Sequence, residues 1–392
     1  MARRTATAFI GATLSVVLLA GNNAAVAQRW TLQPSLRSSV DYNSNRSLVA
    51  EALPGLGLAL QLDAPLSYTS EVLNFSLRPS LSLQRFDNTA LVDSDDQTLD
   101  FNASWRRERA DVKLDAVWRS QNTLLTELVD TGVLDAGTRR RDALASVGWN
   151  AFLSERVSGG VQASFADVEF SGRAAQRLPG YRFPGVAANG SLALDARKSL
   201  SATLNLSELQ VPSSSLRTRN SGASVGFAYG FSERTEFEVN GGFSRTESGF
   251  ASDSGWIGQL RVRTRYPRSF WSAGISRSVQ PSGFGVLVRR LELSASHAYD
   301  ISPRVRFAAS ARAVRNDSLL GAASGERRHI RDLDARFEWR ASETRSLGFR
   351  AGIAQASGPV DELQAGPGER DYDGWRVGLS MAWAPRALNV AP

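Results

Sequence analysis

Arginine, not histidine or cysteine, supplies most of the chemistry available to this chain. Among the 46 basic residues only Lys113 and Lys198 are lysines, and the formal net charge is +7. The absence of cysteine removes thiol nucleophiles, thiolate metal ligands, disulfides and a lipid-modified cysteine together. His297 and His329 are the only histidines. Neither has a serine or carboxylate at the spacing of a hydrolytic triad, so no catalytic residue and no enzyme activity is expected. Asp332, Asp334 and Glu338 alternate with Arg336 and Arg340. That spacing reads as a ladder of ion pairs, not as a glycosidase pair or a metal site, and no cofactor is expected. Arg261, Arg263 and Arg265 stand apart. They put three charges on one face of one extended segment, and only Glu236 and Glu238 on the preceding segment are placed to neutralise any of them. Guanidinium remains ionised and pairs bidentately with carboxylates, which suits a crowded charged surface.

A two-residue repeat must hold such side chains in rows. From Gln28 onward apolar and polar residues alternate, the period of a strand. Leu56, Leu58, Leu60 and Leu62 oppose Gln61 and Asp63; Leu73, Phe75, Leu77, Leu81 and Leu83 oppose Asn74, Ser76, Arg78, Ser80 and Ser82. Leu333, Ala335, Phe337 and Trp339 oppose the Asp332–Arg340 ladder. The runs last ~10–13 residues, about twice a typical soluble strand. At ~3.3 Å per residue and a ~45° tilt they match the ~25 Å apolar band of outer-membrane barrels. A soluble β-propeller would pack four short strands into each ~40 residues, where this chain has two long ones. No stretch after Ala27 approaches the ~20 apolar residues of a membrane helix, and only a closed barrel crosses a bilayer without one.

The ends and connections fit that expectation. Arg3 and Arg4, the apolar run Phe9–Ala20 and Ala25-Val26-Ala27 form a signal-peptide pattern over 1–27, leaving a barrel over 28–383 and a short tail over 384–392. Short connections (Ser154–Val157, Ser232–Thr235, Ile301–Arg304, Ser342–Arg345) alternate with longer ones (87–97, 122–141, 171–186, 210–221, 316–329, 356–371). The pattern predicts a single all-β, antiparallel up-and-down transmembrane barrel of about 18 strands (16–18), with both termini in the periplasm. Strand starts are expected near 29, 56, 72, 98, 111, 143, 157, 187, 200, 222, 236, 256, 270, 286, 304, 330, 346 and 374. With outward faces fixed by the aliphatic residues, Trp30, Trp105, Trp118, Trp149, Trp256, Trp271, Trp339, Trp375 and Trp383 all fall outward, most of them near strand ends as in an aromatic girdle. The same register sends Arg37, Arg78, Arg261, Arg263, Arg265, Arg336, Arg340, Arg350 and Arg376 into the lumen as pore-lining residues. It leaves His297 outward near a turn and His329 in a basic loop.

The last strand resembles the outer-membrane assembly signal: polar Arg376, Gly378, hydrophobic Met381 and aromatic Trp383. The resemblance implies delivery by the barrel-assembly machinery, although the aromatic position usually lies nearer the end of the chain. Over nearly its whole length the chain is similar to the outer-membrane porins found with exopolysaccharide and exosortase (PEP-CTERM) gene clusters. The residues that carry this are Leu32-Gln33-Pro34-Ser35-Leu36 to Tyr42-Asn43-Ser44-Asn45, and the Ser-Leu-Arg-Pro-Ser-Leu-Ser-Leu echo at Ser76–Leu83. The likeness is one of texture, and it implies a surface-polysaccharide setting.

Two functions are therefore weighed. One is a porin-like channel that passes anionic solutes or exports polysaccharide; the other is a plugged barrel that anchors surface polymer or a periplasmic partner. Lipid, the assembly machinery and exopolysaccharide or its export proteins are the expected partners. Interleaved acids argue against nucleic acid. The loop 122–141 carries Leu124, Leu125, Leu128 and Val129 at helical spacing and is expected to fold inward, or else to be an ordinary outer loop.

Overall fold

The computed structural model describes residues 29–46, 48, 52–88, 91–123, 138–172, 178–214, 216–249, 251–283, 285–319, 328–359 and 369–390. The expected signal peptide, and residues 124–137 of the loop expected to narrow the pore, lie outside the described residues. Twenty-one strand segments join in one antiparallel sheet. Three pairs of segments are single strands interrupted where a proline falls, so the wall has 18 staves.

In chain order the staves are β1 (Arg29–Leu32 and Ser35–Asn43), β2 (Gly55–Asp63 and Leu66–Thr69), β3 (Leu73–Phe86), β4 (Ser94–Arg107), β5 (Ala110–Asn122) and β6 (Thr138–Phe152). Next come β7 (Val157–Gly172), β8 (Tyr181–Ala193), β9 (Lys198–Val211), β10 (Leu216–Gly230), β11 (Thr235–Ser248) and β12 (Ala251–Arg265). The last six are β13 (Ser269–Pro281), β14 (Leu287–Ser302), β15 (Val305–Ser318), β16 (Arg328–Arg340), β17 (Arg345–Pro359) and β18 (Glu369–Trp383 with Leu388–Val390). Each stave pairs with its sequence neighbours, and β1 pairs with β18 from Leu36↔Trp383 to Asn43↔Arg376. The barrel is closed and has the expected number of strands.

Proline explains the interruptions, because it brings no N–H to the ladder. Pro34 and Pro65 break β1 and β2 side by side, and Pro385 breaks β18. The Gln33 N–H donates to the Pro65 carbonyl (3.1 Å) and the Ala64 N–H to the Pro79 carbonyl (3.1 Å), which bridges the first two gaps. After the third, Leu388–Val390 pairs with Arg29–Leu32. The segment read as a tail beyond the barrel is thus partly wall.

One end of the barrel is closed by tight turns, and a repeated side-chain device builds them. Ser154 Oγ accepts from the N–H groups of Arg156 and Val157, Ser232 from Arg234 and Thr235, and Ser342 from Thr344 and Arg345. Asp195 accepts from the Arg197 N–H in the same way. Such local bonds give the backbone groups of a turn a partner once the ladder ends. Asp195 lies outside the wall, and this backbone bond holds its carboxyl below the usual range. The other end carries the longer connections; the two are called here the turn end and the loop end.

Uninterrupted staves run for 13–16 residues, longer than expected. About 9–11 residues suffice to cross the hydrocarbon. The excess lies at the loop end, where both faces meet water and alternation lapses while the ladder continues. Val211 pairs with Leu216, for example, so only 212–215 remain of a connection expected over 210–221. His329 likewise stands in β16, not in a loop.

The outward face is apolar and uncovered. Val225 (69%), Phe243 (70%), Leu206 (65%) and Leu379 (65%) stand exposed, as do Leu58, Ile275, Leu333 and Phe349. In water a patch of this extent would be a severe aggregation liability. All nine tryptophans point this way: Trp105, Trp149, Trp271, Trp339 and Trp383 toward the turn end, Trp118, Trp256 and Trp375 toward the loop end. Trp30 packs outside against Tyr68 and Phe75, with centroids 5.0 and 5.2 Å away.

Candidate functional site

The lumen takes the other face of each stave, and its charges sort into three zones. On β12, Arg261 and Arg263 reach across to β11, where Glu238 and Glu236 stand 3.9 and 3.8 Å away. Arg265 faces Phe270 (5.9 Å to the ring centroid) and has no carboxylate within 4 Å among the described residues. Two acids against three cations leave this strip positive.

The second zone lies at mid-height on β16–β18. Asp334, 5% exposed, accepts from Arg336 Nε (2.9 Å), Arg350 Nε (2.6 Å) and Arg376 Nη2 (3.0 Å). Arg376 also donates to Asp332 (2.9 Å). Three guanidiniums share two carboxylates, and the register brings Arg312 opposite Asp332 as a fourth. The acidic residues are therefore spoken for by arginine. Glu338 stands opposite Arg306 in the register.

Between these zones β13, β14 and β15 present small hydroxylic side chains. Ser272, Ser294, Ser296 and Ser310, with Arg312 and Asp332, line a recess of about 300 Å³. Arg37 and Arg78 also face the lumen, opposite Gln61 and Asp100, and Arg340 does so at the turn end. Arg261, Arg263, Arg265, Arg336, Arg350 and Arg376 stand on the same face, opposite to the outward tryptophans. Gly378 shares it, while Met381 and Trp383 point outward on the closing stave.

The third zone is apolar, and alternation alone misses it. Val168, Tyr181, Leu209, Val211, Leu287 and Leu319 form one buried cluster, joined by Phe170, Phe183 and Val279. The first four sit on the luminal face of β7–β9 near the loop end. Leu287 and Leu319 come from β14 and the end of β15, about a third of the way around the wall. The β13–β14 connection therefore leans across the lumen. At its tip Gly285 has φ +69°, and a Cβ there would meet Pro179 and Val211 side chains at 3.0 Å each. Only glycine fits this contact without strain. A sequence signal for this zone does exist: the phase of alternation reverses. In β7 the outward residues are Val161 and Phe165, but Val168 and Phe170 take the opposite parity; in β9 Leu204 and Leu206 give way to Leu209 and Val211.

A second inward tuck lies beside the barrel closure. The Ser44 N–H donates to the Trp375 carbonyl (2.9 Å) and Asn45 Nδ2 to the Asp373 carbonyl (3.2 Å), so residues 44–46 fold over β18. From there Arg46 donates to Gln84 (2.6 Å) and covers the Phe86 ring (4.4 Å). Burial lowers the Arg46 pKa, against the opposing pull of Asp41 and Asp96.

Charged groups inside and a bare apolar surface outside have one stable arrangement, with water in the lumen and lipid around the wall. This chain is an outer-membrane β-barrel. No family model and no curated protein matches it in sequence. Solved structures similar to it include Pseudomonas aeruginosa OpdO (15% identity, TM-score 0.48, covering 91% of this chain and 97% of that one). Acinetobacter baumannii OccAB3 matches at 10% identity and TM-score 0.46, covering 91% and 99%. Pseudomonas aeruginosa OccK2 (OpdF), solved in complex with glucuronate, matches at 10% and 0.46, covering 91% and 98%. These likenesses are distant, and the membrane placement stands on the barrel's own surface.

The two histidines stand near opposite ends of the wall, His329 at the start of β16 on the loop side. His297 lies outward at the turn end, stacked on Trp271 (3.8 Å between centroids) with Ser269 Oγ 3.3 Å from Nε2. Sequence spacing hides this cross-strand serine. Among the described residues no carboxylate pairs with His297, and Trp271, Tyr299 and Phe307 surround the ring as in an aromatic belt.

Proposed function

We propose that the barrel is a channel for anionic, hydrophilic solutes, with acidic saccharides as the solute class and surface-polysaccharide export as the setting. The observation that carries this reading is the Arg261–Arg263–Arg265 strip, which faces the lumen with two carboxylates for three guanidiniums. A barrel of 18 strands encloses an aqueous passage unless something fills it, and an arginine-lined passage favours anions. The serine recess beside the strip offers hydroxyl donors and acceptors without bulk, which suits sugar hydroxyls.

A second reading, a plugged barrel that holds polymer or a periplasmic partner through its loops, is favoured by the apolar cluster at the loop end. The two readings differ in whether ions pass. In this proposal the termini and turn end face the periplasm, the barrel-assembly machinery reads Arg376, Gly378, Met381 and Trp383, and the outward tryptophans anchor the wall at the lipid–water interfaces.

Reversal potentials across planar bilayers under a salt gradient test the channel reading. The parent barrel should pass chloride in preference to potassium, and replacing Arg261, Arg263 and Arg265 together by glutamine should lower that ratio severalfold. A non-conducting barrel, or a ratio unmoved by the triple substitution, overturns it.

A further inference from the structure

The wall has an interrupted seam. Between β12 and β13 the ladder runs from Arg265↔Phe270 only as far as Gly258↔Arg277. Both staves continue beyond that point with their other neighbours: β12 with β11 to Ser248↔Ala251, and β13 with β14 to Pro281↔Leu287. Toward the loop end, then, β12 stays in the wall while the β13–β14 hairpin leans inward.

Side-chain contacts show how far it leans. Val279 and Leu287 have the parity of lipid-facing residues, yet they pack with the luminal residues Tyr181, Leu209 and Val211. Arg289 has the same parity and donates to Asp253 on the luminal face of β12 (3.2 Å). Its guanidinium lies where a Gly255 Cβ would point, at 2.8 Å. The outer face of the hairpin is thus applied to the inner face of the wall.

Parting the strands leaves a space behind the hairpin. A cavity of about 260 Å³ is lined by Asn205, Asn220, Asn240, Gln259, Ser276 and Ser278, with Ile257, Arg277 and Val279 toward the seam. The lining is rich in neutral carboxamides and hydroxyls. On the lipid side the foot of the seam is flanked by the exposed side chains of Phe243, Trp256, Ile275 and Leu293. Arg277 stacks on Trp256 at that level, 4.2 Å from the ring centroid. A polar chamber, lined mainly by carboxamides and hydroxyls with Arg277 as its one charged lining residue, therefore adjoins a lipid-facing apolar surface, at a point where no ladder closes the wall between them.

We infer that this seam is a lateral binding site for an amphiphile with a neutral sugar head and an alkyl chain. The head group occupies the carboxamide-lined cavity. The chain leaves through the seam and lies on Phe243, Trp256 and Leu293 in the leaflet on the loop side. Carboxamides and hydroxyls both donate and accept, as sugar hydroxyls require. A free sugar gains only the polar half of the site, and a simple alkyl chain only the apolar half. The inference rests on the barrel being embedded in lipid, not on the solute it conducts.

Native mass spectrometry of the full-length barrel, released from nanodiscs with each additive present, tests it. The probes are n-dodecyl maltoside, maltose, and dodecyl dimethylamine oxide, which has the same chain without the sugar. One dodecyl maltoside per barrel should be retained, with neither of the other probes. Asn205→Leu with Asn240→Leu should cut occupancy at least tenfold, because leucine can neither donate to nor accept from the sugar hydroxyls. Trp256→Ala should weaken retention of the whole amphiphile by a smaller factor. The heat-dependent gel shift shows that each variant is folded. Equal retention by the Asn205/Asn240 variant, or equal retention of maltose alone, overturns the seam site. Anion selectivity reads out separately, so failure of one reading leaves the other standing.

Discussion

Leu287→Ala tests whether the leaning hairpin narrows the passage. Leu287 is 2% exposed and is the main side chain that the β14 side contributes to the cluster on β7–β9. Truncating a buried leucine to alanine costs about 2–5 kcal/mol. Here that cost falls on the balance between the hairpin leaning inward and the hairpin lying back in the wall, because the Leu287 contact exists only in the first state. At the low end, about 2 kcal/mol is roughly a 30-fold shift in that balance. Single-channel recording in planar bilayers reads the shift as a longer dwell at a larger conductance. Gly285→Ala should act in the same direction by a smaller factor, since φ +69° costs an L-residue about 1–2 kcal/mol and the new methyl presses on Pro179 and Val211. Leu293→Ala, on the lipid side of the same stave, is the control and should leave conductance alone. If a folded Leu287→Ala barrel records like its parent, the hairpin is not what narrows the passage.

Three further outcomes follow from the same geometry. Asp334→Asn removes the charge that Arg336, Arg350 and Arg376 share, so the mid-height lumen becomes more positive; anion preference in reversal-potential measurements should rise, and no change would mean that ions do not pass this zone. Arg386 donates to Glu343 (2.6 Å) and holds that carboxyl below the usual range, tying 384–387 to the turn. A depressed carboxylate pKa stabilises above the unfolded pKa and is lost as pH falls through the folded one. A spin label at Ala387→Cys should therefore gain mobility on acidification below the ordinary glutamate range, and at neutral pH in Glu343→Gln. Trp383→Ala, at the register position where β18 meets β1, should lower the heat-modifiable fraction assembled in cells, whereas Trp339→Ala should not; equal loss in both would remove the special role given to the closing stave.

Legibility in the sequence differed between the two ends of the barrel, for a physical reason. At the turn end the expected starts near 29, 157, 236 and 346 fall within one residue of Arg29, Val157, Thr235 and Arg345. There, lipid covers one face of the strand almost to the turn, and serine or aspartate marks the turn itself. At the loop end, starts expected near 143, 187, 222 and 256 give way to Thr138, Tyr181, Leu216 and Ala251. Alternation reports contact with lipid, whereas strand reports hydrogen bonding, and the ladder outlasts the lipid. The luminal arginines were legible because parity alone assigns them. Their partners were not, since the convergence of Arg336, Arg350 and Arg376 on Asp334 depends on register between three staves.

The same distinction accounts for the leaning hairpin. A strand that keeps one apolar face throughout describes a uniform wall. One whose apolar residues change parity must turn its inner face toward something other than water. Val168 and Phe170, Tyr181 and Phe183, Leu209 and Val211 make that change on three adjacent staves, and Val288, Val314 and Ile330 make it on β14–β16. Two luminal patches that avoid water within one lumen lower their free energy by meeting, or by being covered from the loop end. The first patch is met by Leu287 and Val279, from the hairpin whose ladder to β12 stops at Gly258↔Arg277. The broken ladder and the reversed parity are thus two sides of one construction: hydrogen bonds given up between β12 and β13 let apolar surface be buried inside the barrel.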